Sequence, residues 1–270
     1  MAGRRPWPPQ PAGAHFLHDR PLIRRLVRAS AAGPGQLVLD LGAGHGAITL
    51  PLAATGARVI AVERDPRLAA GLRRRLAGQP LVTVVETDLR EVPLPRREFL
   101  VVANIPFATT TALLRRLAGD PAARFGGGEL ITAWGVARWL TAPVPRDAET
   151  AWWAARYEFR LAGRVPAASF RPRPAVAAAH LSVRPRPLAS CGRGQRLLRP
   201  LLQAAYRRPG LPADDLVRQV AGSSGGGARR LLARAGAAPG TRVAGLTAGQ
   251  WHELALLLAG TRSRQPGRGR

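Results

Sequence analysis

"LVLDLGAGHGAIT", residues 37–49, reads as a short apolar strand that stops at a turn with glycines at 42, 44 and 46 and passes directly into a helix. Glycines in such a turn let a ligand approach the main chain closely, and the helix start beyond them offers unpaired N–H groups. The dinucleotide pattern G-x-G-x-x-G is not met, because the third glycine falls at 46 and position 47 is Ala. The turn alone leaves the ligand open, and the neighbouring segments must choose it.

Outward from this turn, "RVIAVE", "VTVVET" and "EFLVVAN" are further β-type runs, at intervals of roughly two dozen residues, with helix-like stretches such as "PRLAAGLRRRLAG" between them. The alternation predicts βαβ units on a parallel sheet, an α/β fold of Rossmann-like type. In the stretch after the second run, apolar residues at 68, 72 and 76 enclose Arg73, Arg74 and Arg75, so one stripe is predicted buried and the arginines solvated. At residues 182–190, "SVRPRPLAS", prolines recur and the strand pattern stops, which predicts a linker. Beyond it "GQRLLRPLLQAAYRRPG", "ADDLVRQVAG", "GARRLLARAG" and "TAGQWHELALLLAG" have helical periodicity with glycine stops. The expected division is a flexible basic tail over 1–13, a catalytic domain over 14–185, a small helical RNA-binding domain over 186–260 and a second basic tail over 261–270.

The 270 residues are 46% hydrophobic, enough to bury a full core. Against 16 acidic residues stand 41 basic ones, every one of them Arg, for a formal charge of +25. A surplus of that size attracts polyanions, with nucleic acid favoured over an acidic membrane face. The single cysteine, Cys191, cannot form an internal disulfide and supplies no metal cluster, so no metal is expected. The N-terminus lacks the apolar core of a signal peptide, and runs such as "LALLLAG" are too short to span a bilayer. A cytoplasmic protein is expected, and nothing in the sequence demands a dimer.

Glu63 closes the second run 21 residues after Gly42, where a carboxylate can accept from both hydroxyls of a ribose. Asp88, 25 residues further on, can accept from an adenine amino group or cap the turn that follows it. With Gly42 and Gly44 these residues point to an adenosine-containing cofactor, either NAD or S-adenosyl-L-methionine. The fourth run ends in Asn104-Ile105-Pro106-Phe107, an amide and an aromatic ring on either side of a proline. The Asn104 side-chain oxygen can accept from an exocyclic amine, Pro106 stiffens the loop so that the Ile105 carbonyl faces the same amine, and Phe107 can stack on a base. Two acceptors on its hydrogens favour the pyramidal form in which a nucleobase amine attacks, so methyl transfer from S-adenosyl-L-methionine is the expected reaction.

With these motifs in hand, the chain resembles the ribosomal RNA adenine N6-methyltransferases, the family of the macrolide-resistance (Erm-type) enzymes of 23S rRNA and the 16S rRNA dimethyladenosine transferases. "LDLGAGHGAIT", "AVERD", "ETDL", "VANIPF" and "ASFRPRPAV" occur in the family's order across residues 14–185. The resemblance implies that Gly42, Glu63, Asp88 and Asn104 bind the cofactor or shape its pocket, that Leu17 closes over it, and that residues 104–107 hold the target adenine. It also implies that Phe170 lies against a flipped base; a core role is the alternative, against which the Pro and Arg around it suggest a surface loop. Where the family carries Gln-Asn before Phe-Leu, this chain has Ala14 and His15, and His15 is expected to donate toward the cofactor carboxylate. Ala177 and Ala178 replace a polar residue the family often has after "RPAV". Ile105 and Phe107, with "WGVARWL" and "WWAARYEFR", look closer to the Erm-type branch, whereas the 16S enzymes more often read Leu and Tyr at the first two. Trp152 and Trp153 are read either as RNA contacts or as packing against the sheet. The expected partner is therefore 23S rRNA, naked or in an assembling subunit, met by a monomer, with 16S rRNA or a non-catalytic RNA-binding role as the alternatives.

Overall fold

Each of the four apolar runs forms a strand in the computed structural model, which describes residues 15–222 and 224–261. They are β2 (Leu37–Leu41), β3 (Arg58–Glu63), β4 (Val82–Glu86) and β5 (Phe99–Asn104), preceded by a two-residue strand β1 (Phe16–Leu17). Three later strands, β6 (Phe125–Ala133), β7 (Tyr157–Val165) and β9 (Ala178–Pro185), complete a seven-stranded sheet of order β4-β3-β2-β5-β6-β9-β7, while the short β8 (Phe170–Arg171) pairs with β1. All neighbours from β4 to β6 run parallel, and β9 is antiparallel to both β6 and β7. The expected Rossmann-like α/β fold is thus present. The chain moves outward from β2 to β3 and β4 and then returns to β2's other side with β5, so the order reverses between β2 and β5. A crevice opens at the carboxyl ends of strands at such a reversal, and that is where ligands bind.

Helices cover both faces, which is why β2 is buried at every residue and reads as an unbroken apolar run. On one face α1 (Arg20–Ser30) and α2 (Thr49–Ala53) place Leu26 and Leu52 against Val38, Val59 and Val102. Asp19 caps α1 by accepting from Leu22 N at 3.0 Å, and Asp65 caps α3 (Pro66–Arg75) in the same way. Leu72 and Leu76 of the α3 stripe are buried and Arg73, Arg74 and Arg75 exposed, as their spacing predicts. The other face carries α4 (Thr110–Leu114), α5 (Trp134–Leu140) and α6 (Ala148–Arg156). Trp152 and Trp153 are buried there, so of their two readings the structure supports packing. Between β6 and β9 the buried Glu129 carboxylate accepts from His180, Ser182 and Arg184, enough partners to keep a charge inside the sheet.

After β9 the described elements are α7 (Gly192–Arg207), α8 (Ala213–Ala221), α9 (Gly225–Arg234) and α10 (Ala248–Thr261). The linker expected at 182–190 is placed differently. Residues 182–185 complete β9, with Ser182 and Val183 buried, and Pro187–Ser190 form a 3-10 turn anchored by the buried Leu188. Prolines misled the reading because β9 needs no further N–H at its last residue, where Pro185 sits. The helical segment shares one core with the sheet: Trp251 is fully buried and His252 Nδ1 donates to Ala155 O at 2.9 Å. The N-terminal tail, and the C-terminal one beyond Thr261, lie outside the described residues.

Candidate functional site

The crevice at the strand-order reversal gathers residues from three strand ends. Gly42 and Gly44 follow β2 with φ of +85° and +54°, in the left-handed region that favours glycine. A Cβ on Gly44 would meet the Phe16 ring at 2.9 Å, so β1 rests directly on this turn. Phe16 also lies 4.8 Å from the His45 ring, centroid to centroid. Leu17, expected to close over the cofactor, instead points into the core beside α1 and pairs with Phe170, because successive residues of a strand face opposite ways. Phe16 is the residue at the turn, and only the register of β1 on β8 reveals this.

Glu63, at the end of β3, is 7% exposed. Its carboxylate accepts from Gly44 N and from Asp65 N, each at 2.8 Å. Two main-chain donors thus fix the side chain while lone pairs remain for ribose hydroxyls. Asp88 does not stand free as an adenine acceptor. Its carboxylate binds the Arg90 guanidinium at 2.8 and 2.9 Å and caps Arg90 N, and that guanidinium holds its pKa down at about 2. Capping the turn is therefore what its side chain does in this structure, since Arg90 is close in sequence and of opposite charge.

Asp40 was not singled out by sequence reasoning. It sits in β2 with 1% exposure and accepts from Thr49 Oγ1 at 2.6 Å, clamping the start of α2 to the strand across the glycine turn. Burial pushes its carboxyl up to about 7, Thr49 opposing and the nearby Glu63 adding to the shift. The signal was a lone carboxylate inside "LVLDL".

Asn104 ends β5 half-buried, and its Nδ2 donates to the His15 carbonyl oxygen at 2.7 Å. That bond orients the amide with Oδ1 turned away from His15, available as an acceptor. Ile105 is buried, with its N–H donating to Ile131 O at 3.0 Å, so its side chain belongs to the core and only its carbonyl can serve a ligand. Pro106 is exposed and Phe107 half-exposed. The Phe107 ring lies between His15, 5.9 Å away, and Phe170, 6.5 Å away and edge-on. Phe170 is not on a surface loop: it is 1% exposed, because β8 pairs with β1 and turns the ring inward onto Leu17 and Phe107. His15 donates from Nδ1 to Pro172 O at 3.0 Å, so this donor is engaged by the chain itself rather than aimed at a cofactor carboxylate.

The residues fit an adenosyl cofactor. An anchored carboxylate stands at the end of β3, glycines without side chains line the turn, and at the end of β5 the Asn104 amide, held through its Nδ2, keeps its oxygen as an acceptor. No group of three or more His, Cys, Asp or Glu side chains among the described residues is placed to hold a metal ion, and no described helix is long and apolar enough to cross a membrane.

Comparison with known proteins gives the same direction. Residues 10–194 match the family described as ribosomal RNA adenine dimethylase. An rRNA methyltransferase of Streptomyces thermotolerans is 35% identical over 248 residues, covering 90% of this chain and 80% of that protein. A ribosomal RNA small subunit methyltransferase A of Synechococcus sp. (strain JA-3-3Ab) is 36% identical over 201 residues, 71% of this chain and 72% of the other. Among solved structures, the crystal structure of the 23S rRNA methyltransferase ErmE superposes with a TM-score of 0.75 at 27% identity, over 90% of this chain and 99% of that one.

Proposed function

The chain belongs to the ribosomal RNA adenine dimethylase family and is an S-adenosyl-L-methionine-dependent rRNA adenine N6-methyltransferase; from that premise we propose that its target is an adenine of 23S rRNA in the macrolide-binding region, so that methylation confers resistance to macrolide-type antibiotics. The enzyme would act as a cytoplasmic monomer on naked or assembling 23S rRNA, because the target base must leave its stack to reach Asn104.

The observation that carries the reaction is the orientation of Asn104. With Nδ2 donating to His15 O, Oδ1 is left to accept from the N6 amino group, and the Ile105 carbonyl offers the second acceptor. Adenine N6 is a poor nucleophile because its lone pair is delocalised into the ring, and two acceptors on its hydrogens favour the pyramidal, attacking form. S-adenosyl-L-methionine supplies a methyl group on a positive sulfonium. Glu63 would hold the ribose, Gly42 and Gly44 would let the cofactor lie against the main chain, and Asp88 would contribute once released from Arg90. Phe107 would stack on the extruded base, with Phe170 bracing it edge-on from the core. His15 would act through its main-chain carbonyl on Asn104 and through its ring on the loop at Pro172. Leu17 would act by anchoring Phe16 over the turn.

The choice of 23S rRNA is supported by Ile105 and Phe107, and by similarity to ErmE along 90% of the chain. A second reading, dimethylation of 16S rRNA during subunit assembly, is favoured by the 36% identity to a small-subunit methyltransferase. Radiolabelled S-adenosyl-L-methionine incubated separately with protein-free 23S and 16S rRNA, followed by primer extension, tests the proposal. Label on a 23S adenine in the macrolide site is expected, and label on 16S alone would overturn the target assignment.

A further inference from the structure

We propose that the cleft at the opposite end of the sheet, between the strand starts and α7, is a second RNA-binding surface that grips the sugar-phosphate backbone of an rRNA segment remote from the target adenine. The proposal rests on the reading of the chain as an rRNA methyltransferase and adds a partner surface to it. The cleft encloses about 1020 Å³. One wall carries Arg96 and Arg97, just before β5, and Arg124, just before β6; the other carries Arg196 and Arg199 of α7. Glu98 is the one carboxylate among its lining residues, and it leans over Gly126.

All five arginines are exposed, and none forms an ion pair among the described residues. Seven other arginines, Arg73, Arg90, Arg115, Arg146, Arg184, Arg218 and Arg229, each meet a carboxylate, while others such as Arg58, Arg67 and Arg74 do not; what sets the five apart is that they line one concavity. Five unmatched guanidinium groups facing each other across a concavity make a field that a polyanion neutralises, and their forked donors suit phosphate oxygens. Trp152 and Tyr157 line the floor but are buried, so no base can stack on them. That favours backbone contact without sequence readout. Arg196 and Arg199, three residues apart, project from one side of α7.

The site is separate from the adenine pocket. The cleft borders the start of β5 and Asn104 ends it, five residues later, about 17 Å away at roughly 3.3 Å per residue. A nucleotide at Asn104 cannot reach the cleft, so the occupant is another arm of the same rRNA. It also gives the helical segment a task, since α7 builds one wall of the cleft and supplies nothing to the crevice.

The test compares R96Q/R97Q/R124Q and R196Q/R199Q with R58Q/R67Q/R74Q, which removes exposed charge on β3 and α3 instead. Affinity is measured against salt for protein-free 23S rRNA and for a short hairpin carrying the unmodified target adenine. Each wall variant should bind the long RNA at least about tenfold more weakly near 0.1 M salt, and lower the slope of log K against log salt by about one per arginine contacting phosphate. The control should bind the long RNA nearly as the wild type does, and all variants should methylate the hairpin at the wild-type rate. Wall variants that match the control on long RNA, or that lose the hairpin equally, overturn the cleft assignment, including the case in which its true occupant is an acidic protein. Wild-type protein that labels neither rRNA overturns the functional reading and the cleft with it, whereas label with indifferent wall variants removes the cleft alone.

Discussion

The two ends of the central sheet are made from the same strands, yet one is organised by hydrogen bonds and the other by charge. At the carboxyl end, Glu63 is held by two main-chain donors at 2.8 Å, the buried Asp40 by Thr49 and the half-buried Asn104 by His15. At the amino end, arginines stand exposed on both sides of a cleft without carboxylate partners. The difference fits the ligands proposed for each end. A small cofactor and a single base need atoms fixed by short bonds, because one displaced acceptor abolishes alignment. A nucleic-acid backbone needs many charges, each individually dispensable and screened by salt. Breaking the first end should therefore take one atom, whereas breaking the second takes several side chains.

The largest effect is expected from the pH dependence of Asp40 in the cofactor-free protein. The unfolded carboxyl ionises near 3.8, while in the fold it keeps its proton up to about 7. Between these values the folded state binds the extra proton, so stability is full below 3.8, declines as pH rises and levels off above about 7. The total is about 4 kcal/mol at 1.36 kcal/mol per pKa unit. Thermal or urea unfolding of Asp40→Asn, which keeps an acceptor for Thr49, should lose this dependence and exceed the wild type in stability at pH 8. Parallel pH profiles for the two proteins would show that burial does not control this carboxyl.

Asn104→Ala comes next. Removing the acceptor should lower the methylation rate by about a hundred- to a thousandfold, as loss of one preorganised polar contact to a reacting group does elsewhere. Circular dichroism should stay near wild type, and the affinity for cofactor should fall much less than the methylation rate. Undiminished methylation would move the chemistry away from the end of β5. Glu63→Gln should act on binding instead: the affinity for S-adenosyl-L-methionine, read by calorimetry, should fall by roughly ten- to a hundredfold through loss of charge-assisted hydrogen bonds. A fall in turnover at saturating cofactor with affinity intact would place Glu63 in the reaction step.

The smallest effect sharpens the assignment of Asp88. Arg90→Ala removes an exposed partner, so stability should barely change, and the freed carboxylate should bind cofactor roughly as well as or a few-fold better than before. Weaker binding would mean that Arg90 itself contacts the ligand.

Local order explains which of these features could be read in advance. The strands β2 to β5, the capped α3 and the glycine turn are written in periodicity and short motifs, because strand alternation, helix caps and left-handed glycines are properties of a few neighbouring residues. Glu63 and Asn104 were legible for the same reason, each lying at the end of such a run. The surface placement of Phe170 and the linker at 182–185 were misread, since proline and arginine neighbours suggest exposure while pairing of β8 with β1 and of β9 with β6 buries Phe170, Ser182 and Val183.

By itself the sequence determined the α/β class, the glycine turn after the first strand of the alternation, the amide at the fourth strand end and the excess of positive charge. Tertiary structure alone decided that Phe16 rather than Leu17 meets the turn, that His15 orients Asn104 across 89 residues, and that arginines 72 or more positions apart face one another across one cleft. The physical reason is separation along the chain: propensity and spacing act over a turn or a strand, whereas these contacts exist only once the sheet has set its order and register.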